Sequence, residues 1–262
     1  ATYGGIERHV EEIAVRLVER GHEVDVFSRF YYSHQTGLYR GVRVRRLPSV
    51  NTKHLDTITH CALSTLDTLF RRYDIVHFHA LGPSVFARIP RITGAKTVVT
   101  VHGLDWERGK WGPLAAWFLR SCEIPAIRFC DRTIVVSKTL KEYFQRKHNV
   151  ETVMIPNGAN PGIQRPVNKL KRWGLDKHRY ILFVGRLVPE KGCHHLLEAF
   201  CQLDTDARLV LAGGSSFSDG YVDTLNRIKG KDERVHMLGY VYGDVLDELW
   251  SNAYFVVQPS VL

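Results

Sequence analysis

Arg186 and Lys191 stand five positions apart in the run Val184-Gly185-Arg186-Leu187-Val188-Pro189-Glu190-Lys191-Gly192. The apolar stretch Tyr180–Val184 reads as a buried strand ending at Gly185, and the pattern from Cys193 onward reads as a helix. Such a loop carries two cations to a strand end and a helix start. A guanidinium can grip anionic oxygens as a planar fork, while an ammonium acts as a point charge. The free N–H groups of a helix N-terminus favour the same kind of ligand. Together these groups suit a diphosphate. The plainer reading of the same residues is a solvated basic loop.

Gly4-Gly5 opens the first helical pattern, where a backbone without side chains lets an anion approach closely. Pairs of this kind are also ordinary turns. Other polar groups carry less. Asp204-Thr205-Asp206 fits a metal-binding DxD pattern, but it lies between a helix and a strand and reads as turn chemistry. His77 and His79 share one strand face as zinc ligands can, yet no thiol or carboxylate follows at ligand spacing. They read as core or cleft histidines, and no metal site is expected. His194-His195 reads as a helix start, and Ser137 as an N-cap.

The elements that must hold these residues alternate. A helix at 5–20 precedes strand candidates at 23–28 and 42–47, a helix at 54–73, and strands at 74–79 and 96–102. A helix at 111–129, broken near Pro125, leads to a strand at 132–136, a helix at 138–147 and a strand at 153–155. Pro156-Asn157-Gly158 is a turn, and residues 157–178 have little periodicity and read as a crossing between domains. A second series has strands at 180–184, 208–212, 235–238 and 254–257, with helices at 193–203, 220–228 and 244–250. This alternation predicts an α/β protein of two doubly wound, Rossmann-like parallel-sheet domains, 1–158 and 159–262. Ligands are then expected at the carboxyl ends of the strands.

Composition excludes several classes. The 262 residues are 44% hydrophobic and 24% charged, too apolar for a disordered chain. No apolar run approaches the roughly 18 residues of a membrane span, and the N-terminus lacks a signal-peptide pattern. Five cysteines without a CxxC pair read as buried thiols in a reducing compartment. Residues 1–160 hold 23 Lys+Arg against 15 Asp+Glu, so nearly all of the net charge of +9 lies in the first domain. Nucleic acid is not the expected partner, because no recognition motif interleaves the basic residues. The stretch 106–132 carries Trp106, Trp111, Trp117, Phe118, Ile124 and Phe129 among Arg108, Lys110, Arg120, Arg128 and Arg132. It fits either core packing with a basic rim or a membrane-surface contact.

In order along the chain, the segments GGIERHVEEIA, RGHEVDV, DIVHFH, VTVHGLDW, TIVVS, IPNG, ILFVGRLVPEKG, LVLAGG, VHMLGY and LWSNAYFVVQPS resemble retaining family 4 glycosyltransferases of the GT-B fold. YGGIERHVEEIA with HGLDWERGKW further resembles bacterial members that build polysaccharides, including rhamnosyltransferase-like ones. The resemblance implies a nucleoside-diphosphate sugar as donor substrate, no separate cofactor, and a glycan or lipid-linked acceptor. It implies a cytoplasmic enzyme, peripheral at the inner membrane face if the membrane reading holds.

Residue by residue, the resemblance gives Arg186 and Lys191 the donor diphosphate and the neutralisation of the leaving group. Gly185 ends the strand beneath them. Gly5, with Gly4 beside it, matches the glycine that approaches the donor phosphate, and His102 matches a catalytic histidine facing the reacting sugar. Gly213 and Gly214 match the nucleotide-side loop, and Tyr240-Val241 the segment lining the base. The family follows the final PS with a Glu-rich segment, whereas this sequence ends at Ser260-Val261-Leu262; the family's initial strand is also absent. These differences predict a chain cut at both ends, with an incomplete C-terminal domain and no turnover of its own. A GT-B-type nucleotide-sugar epimerase and a non-catalytic nucleotide-sugar-binding fragment are the alternatives.

Overall fold

The computed structural model describes residues 4–31, 37–52, 55–107, 111–215 and 219–261. The chain divides into two compact units, Ala1–Gly158 and Ala159–Leu262.

The first unit begins with α1 (Gly5–Glu19), whose Ala14 and Val15 pack with Val18, Val24, Val26 and Val42. Strands β1 (Asp25–Arg29), β2 (Gly37–Tyr39) and β3 (Val42–Leu47) form a sheet of order β1-β3-β2. β1 runs parallel to β3, but β2 runs antiparallel to it. The sequence reading lacked β2. Its signal is the two-residue turn Arg40-Gly41, with φ of 50° and 82°. Two positive φ values suit the twist of a tight hairpin.

Helix α2 (Leu55–Thr68) leads to β4 (Ile75–His79) and then β5 (Lys96–Val101). Two 3-10 turns, Gly82–Phe86 and Pro90–Thr93, connect these strands. Helices α3 (Pro113–Ser121) and α4 (Glu123–Arg128) precede β6 (Arg132–Val135), α5 (Lys138–His148) and β7 (Val153–Met154). The expected helix at 111–129 is interrupted at Cys122 rather than at Pro125. Pro125 lies in the first turn of α4, where its missing N–H breaks no helical bond. Ser137 caps α5 by accepting from the Leu140 N–H at 3.2 Å. The parallel sheet β4-β5-β6-β7 buries Phe78, Val99, Val101 and Val135 against Leu140 and Phe144.

The second unit holds β8 (Tyr180–Val184), α6 (Cys193–Cys201), β9 (Arg208–Ala212), α7 (Asp219–Lys229), β10 (Val235–Gly239), α8 (Asp244–Asn252) and β11 (Phe255–Val256). Its sheet has the order β10-β9-β8-β11 and is parallel throughout. β8 and β9 lie at the centre and are buried on both faces, which explains their continuous apolar runs. Phe183, Leu197, Phe200, Leu209 and Leu211 fill one side, and Leu170, Leu175, Tyr180, Leu182 and Leu249 fill the other.

Leu170 and Leu175 correct the reading of 157–178 as mere crossing. Within it, Lys169–Trp173 forms a 3-10 turn, tied down by the buried carboxylate of Glu248. Glu248 Oε2 accepts from the backbone N–H groups of Asn168, Lys169 and Leu170 at 3.0, 2.8 and 3.3 Å. A carboxylate on the orphan donors of a helical turn acts as its cap. The interaction is invisible to local periodicity because its partners are about 80 residues apart. No described helix is long and apolar enough to cross a membrane.

Candidate functional site

In the second unit the ends of β8, β9 and β10 meet through backbone hydrogen bonds. Gly185 N–H donates to Ala212 O at 3.0 Å, Gly213 N–H to Gly239 O at 2.8 Å, and Leu187 N–H to Gly214 O at 2.9 Å. Gly185, Gly213 and Gly214 therefore form one floor. The Tyr240 ring closes over Gly214, so that a Cβ there would lie 2.5 Å from it. The Tyr240 hydroxyl donates to Ser215 O at 2.7 Å, and its ring stacks on Tyr242 at 6.2 Å. Val241 turns away into the core beside Leu182 and Leu249.

Gly213 is indispensable to this floor. Its φ of +152° is one that side chains rarely adopt, and a Cβ would overlap the Gly185 carbonyl. Backbone strain of this type costs on the order of 1–3 kcal/mol before the clash is added. Gly213→Ala is expected to lower the melting temperature; an unchanged melting curve would contradict the packing described.

Arg186 and Lys191 ride on the loop above this floor, both half-buried. The Lys191 ammonium donates to Ser260 Oγ at 3.4 Å. Among the described residues, neither cation forms an ion pair with a carboxylate. At the end of the loop, Gly192 has φ +65° and faces the Pro259 carbonyl so closely that a Cβ would overlap it. Segment 259–261 is thus seated on the loop, with Val261 N–H donating to Glu190 O at 3.1 Å. The loop carries two cations next to a glycine floor, residue types that suit an anion.

In the first unit, Gly4 is the N-cap of α1, and a Cβ on it would strike the Glu7 carboxylate. Gly5 is exposed, with open space where a side chain would be. The helix start thus holds its own carboxylate at the place where sequence analysis expects a phosphate.

His102 directly follows β5, whose pairing with β4 sets His79 opposite Thr100. His79 Nδ1 and His102 Nε2 share a hydrogen bond at 3.2 Å, and their rings are nearly parallel. His77 stacks on His79 at 4.3 Å and hydrogen-bonds Thr100 Oγ1 at 2.8 Å. The third neighbour is His9 on α1, edge-on to His102 at 4.8 Å and to His79 at 5.6 Å. Burial pushes the pKa of His77 down to about 4 and that of His79 to about 2, and it lowers that of His9. These three imidazoles are neutral near pH 7.

The sequence pattern pairs His77 with His79 and does not reveal His9. The available signal was helical phase: His9 is three residues after Ile6 and four before Ile13, on the inward stripe of α1. It also missed the buried Glu123, which gathers Trp106, Tyr143, Lys147 and His148 around one carboxylate. Asp204–Asp206 lies in the loop between α6 and β9, where Ala207 N–H donates to Thr205 Oγ1 at 3.2 Å. His194 hydrogen-bonds the Tyr221 hydroxyl at 2.7 Å. Cys122, Cys130 and Cys193 are buried, and burial lifts their thiols to about 11, 12 and 12, which makes them inert. Arg108 and Lys110 lie outside the described residues.

Comparison with known proteins agrees with this architecture. Residues 3–162 match the family model "Glycosyltransferase Family 4", and residues 168–262 match "Glycosyl transferases group 1". An uncharacterized glycosyltransferase of Methanocaldococcus jannaschii is 30% identical over 98% of this chain and 71% of its own length. The D-inositol 3-phosphate glycosyltransferase of Corynebacterium diphtheriae is 26% identical, with 98% and 68% covered. The O-antigen chain mannosyltransferase C of Escherichia coli is 29% identical over 76% of this chain and 54% of its own.

Among solved structures, Anabaena HepE in complex with UDP-glucose superposes with a TM-score of 0.74. That match covers 100% of this chain and 72% of HepE at 18% identity. A glycosyltransferase of Rickettsia africae gives 0.69 at 17% identity, covering 100% and 71%. The fold is GT-B, with two Rossmann-like units. With both of its units matched by glycosyltransferase models, the chain belongs to glycosyltransferase family 4.

Proposed function

We propose that the protein transfers a sugar from a nucleoside-diphosphate donor to a glycan or lipid-linked acceptor, with retention of anomeric configuration, in the assembly of a bacterial surface polysaccharide. The observation that carries this reading is the pair Arg186 and Lys191, half-buried and without carboxylate partners among the described residues, above the Gly185–Gly213–Gly214 floor. Anabaena HepE, crystallised with UDP and with UDP-glucose, has the same fold. The relatives include an O-antigen chain mannosyltransferase and a D-inositol 3-phosphate glycosyltransferase.

In this reading Tyr240 lines the base, Gly213 and Gly214 flank the nucleotide, and the two cations hold the diphosphate. As the anomeric C–O bond breaks, negative charge grows on the departing diphosphate, where preorganised cations stabilise it most. The acceptor hydroxyl attacks from the departing face and forms the new C–O bond. Its proton passes to a phosphate oxygen of the leaving group. The two cations neutralise the leaving group, so the proposed reaction needs no resident metal.

For the acceptor, α3 exposes Leu114 and Trp117, 79% and 68% accessible, next to the cation Arg120. That face supports the peripheral membrane reading and a lipid-linked acceptor.

His102→Ala in the active enzyme is expected to lose most turnover while retaining affinity for free nucleoside diphosphate, because the proposed diphosphate cations belong to the other unit. Turnover is read as nucleoside diphosphate released from UDP-, GDP- and dTDP-sugars in the presence of acceptor. Full activity in the variant would remove His102 from the site. Formation of an epimerised donor without transfer would replace the transferase reading with an epimerase.

A further inference from the structure

We propose that His9, His79 and His102 form a binding site for one divalent transition-metal ion of the zinc class, with three imidazole nitrogens as ligands and a fourth position left to water or a small oxygen ligand. The three histidines come from α1, the end of β4 and the residue after β5, and one ring nitrogen from each lies within 4.8 Å of the others. His79 Nδ1 and His102 Nε2 are 3.2 Å apart. An ion with Zn–N bonds of about 2.0–2.1 Å and tetrahedral angles holds neighbouring nitrogens roughly 3.4 Å apart. The His79–His102 pair already matches that bite, and the His9 nitrogen, within 4.8 Å of both, closes the set by a small side-chain shift.

The third ligand supplies an independent observation. His9 Nε2 is buried and, among the described residues, has no hydrogen-bond partner. An unsatisfied buried ring nitrogen is costly, and coordination satisfies it. The frame is also fixed in the way ligands require. β4 and β5 are hydrogen-bonded in register, Ala80 N–H donates to Thr100 O at 2.9 Å, and His77 stacks on His79 while anchored to Thr100. Such outer contacts orient a ligating ring. Imidazole donors select zinc, nickel, cobalt or copper over magnesium or calcium.

An ion seated here engages His102. This consequence rests on the reading of His102 given above: zinc is then an inhibitor of transfer rather than a requirement for it. The binding itself does not depend on that reading.

The test is a zinc titration of the chelator-stripped protein against a chromophoric chelator, paired with Co2+ binding followed in the visible spectrum. One zinc per chain is expected, with the intense d–d bands of a tetrahedral cobalt site. His9→Gln and His79→Gln are each expected to weaken zinc at least tenfold, whereas His148→Gln and His194→Gln leave it unchanged. Zinc should raise the melting temperature of the wild-type protein and not that of His9→Gln. If His79→Gln does not fold, His9→Gln on the surface-lying α1 decides the matter alone. Wild-type zinc affinity in His9→Gln, or less than stoichiometric binding, overturns the site and leaves a simple His79–His102 hydrogen bond. Stoichiometric, His9-dependent binding with undiminished transfer upholds the site and instead overturns the role given to His102.

Discussion

Replacing Glu123 by alanine is expected to cost about 3–5 kcal/mol of stability, the loss typical when one partner of a buried ion pair is removed. Glu123 is 1% exposed, yet its two oxygens carry four partners. Trp106 Nε1 and the Tyr143 hydroxyl donate to Oε1 at 2.8 and 2.9 Å. Lys147 Nζ and His148 Nε2 meet Oε2 at 2.8 and 2.6 Å. Alanine leaves the Lys147 ammonium and the Trp106, Tyr143 and His148 groups facing a cavity. It also unties α4 from α5, because the four partners come from the 3-10 turn before α3 and from the last turns of α5. Glutamine keeps the volume and should cost less.

The pH dependence follows with a defined sign. Burial alone would raise the Glu123 pKa, but the bonds from Lys147, His148, Tyr143 and Trp106 outweigh it and hold the pKa below its ordinary value of 4.5. A carboxyl depressed in the folded state contributes stability above its unfolded pKa and loses it as pH falls through the folded one. Wild-type stability should therefore fall steeply in acid, below about pH 4.5. Glu123→Gln should flatten part of that slope. Urea unfolding at pH 7 and pH 4 checks both; equal slopes for wild type and variant would contradict the assignment.

The second large effect concerns binding. Arg186→Ala and Lys191→Ala should each weaken nucleoside-diphosphate binding by about 10- to 150-fold, since a hydrogen bond to a charged group contributes about 1.5–3 kcal/mol. The double variant should bind no nucleoside diphosphate measurably at millimolar concentration. Neither side chain is part of the apolar core, so melting temperatures should move little. Calorimetric titration separates the two quantities. Wild-type affinity in both single variants would sink the diphosphate assignment.

Most of the fold was legible because parallel strands such as Tyr180–Val184 and Arg208–Ala212 are buried on both faces and written as unbroken apolar runs. The loop from Gly185 to Gly192 was legible for a related reason: cations and glycines are concentrated in one short segment. What escaped was either very short or non-local. β2 is only three residues long and is paired through a hairpin. Glu123 and Glu248 are buried carboxylates whose partners lie 17 to 25 and about 80 residues away, beyond any periodic signal. His9 joined His79 and His102 only once α1 was laid beside β4 and β5. Sequence spacing gives ligand sets within a motif, but not those assembled across three elements.

The proposed site for a nucleoside diphosphate is the loop bearing Arg186 and Lys191 with its glycine floor. Titration of UDP into the 15N-labelled protein, followed amide by amide, tests this most directly. Gly185, Arg186, Leu187, Lys191, Gly213, Gly214 and Tyr240 should shift saturably together, and inorganic phosphate should reproduce only a weaker form of the change. If those amides stay in place while others move, such as those around the basic groove of Arg43, Arg45, Arg46 and Arg71, the assigned site is wrong.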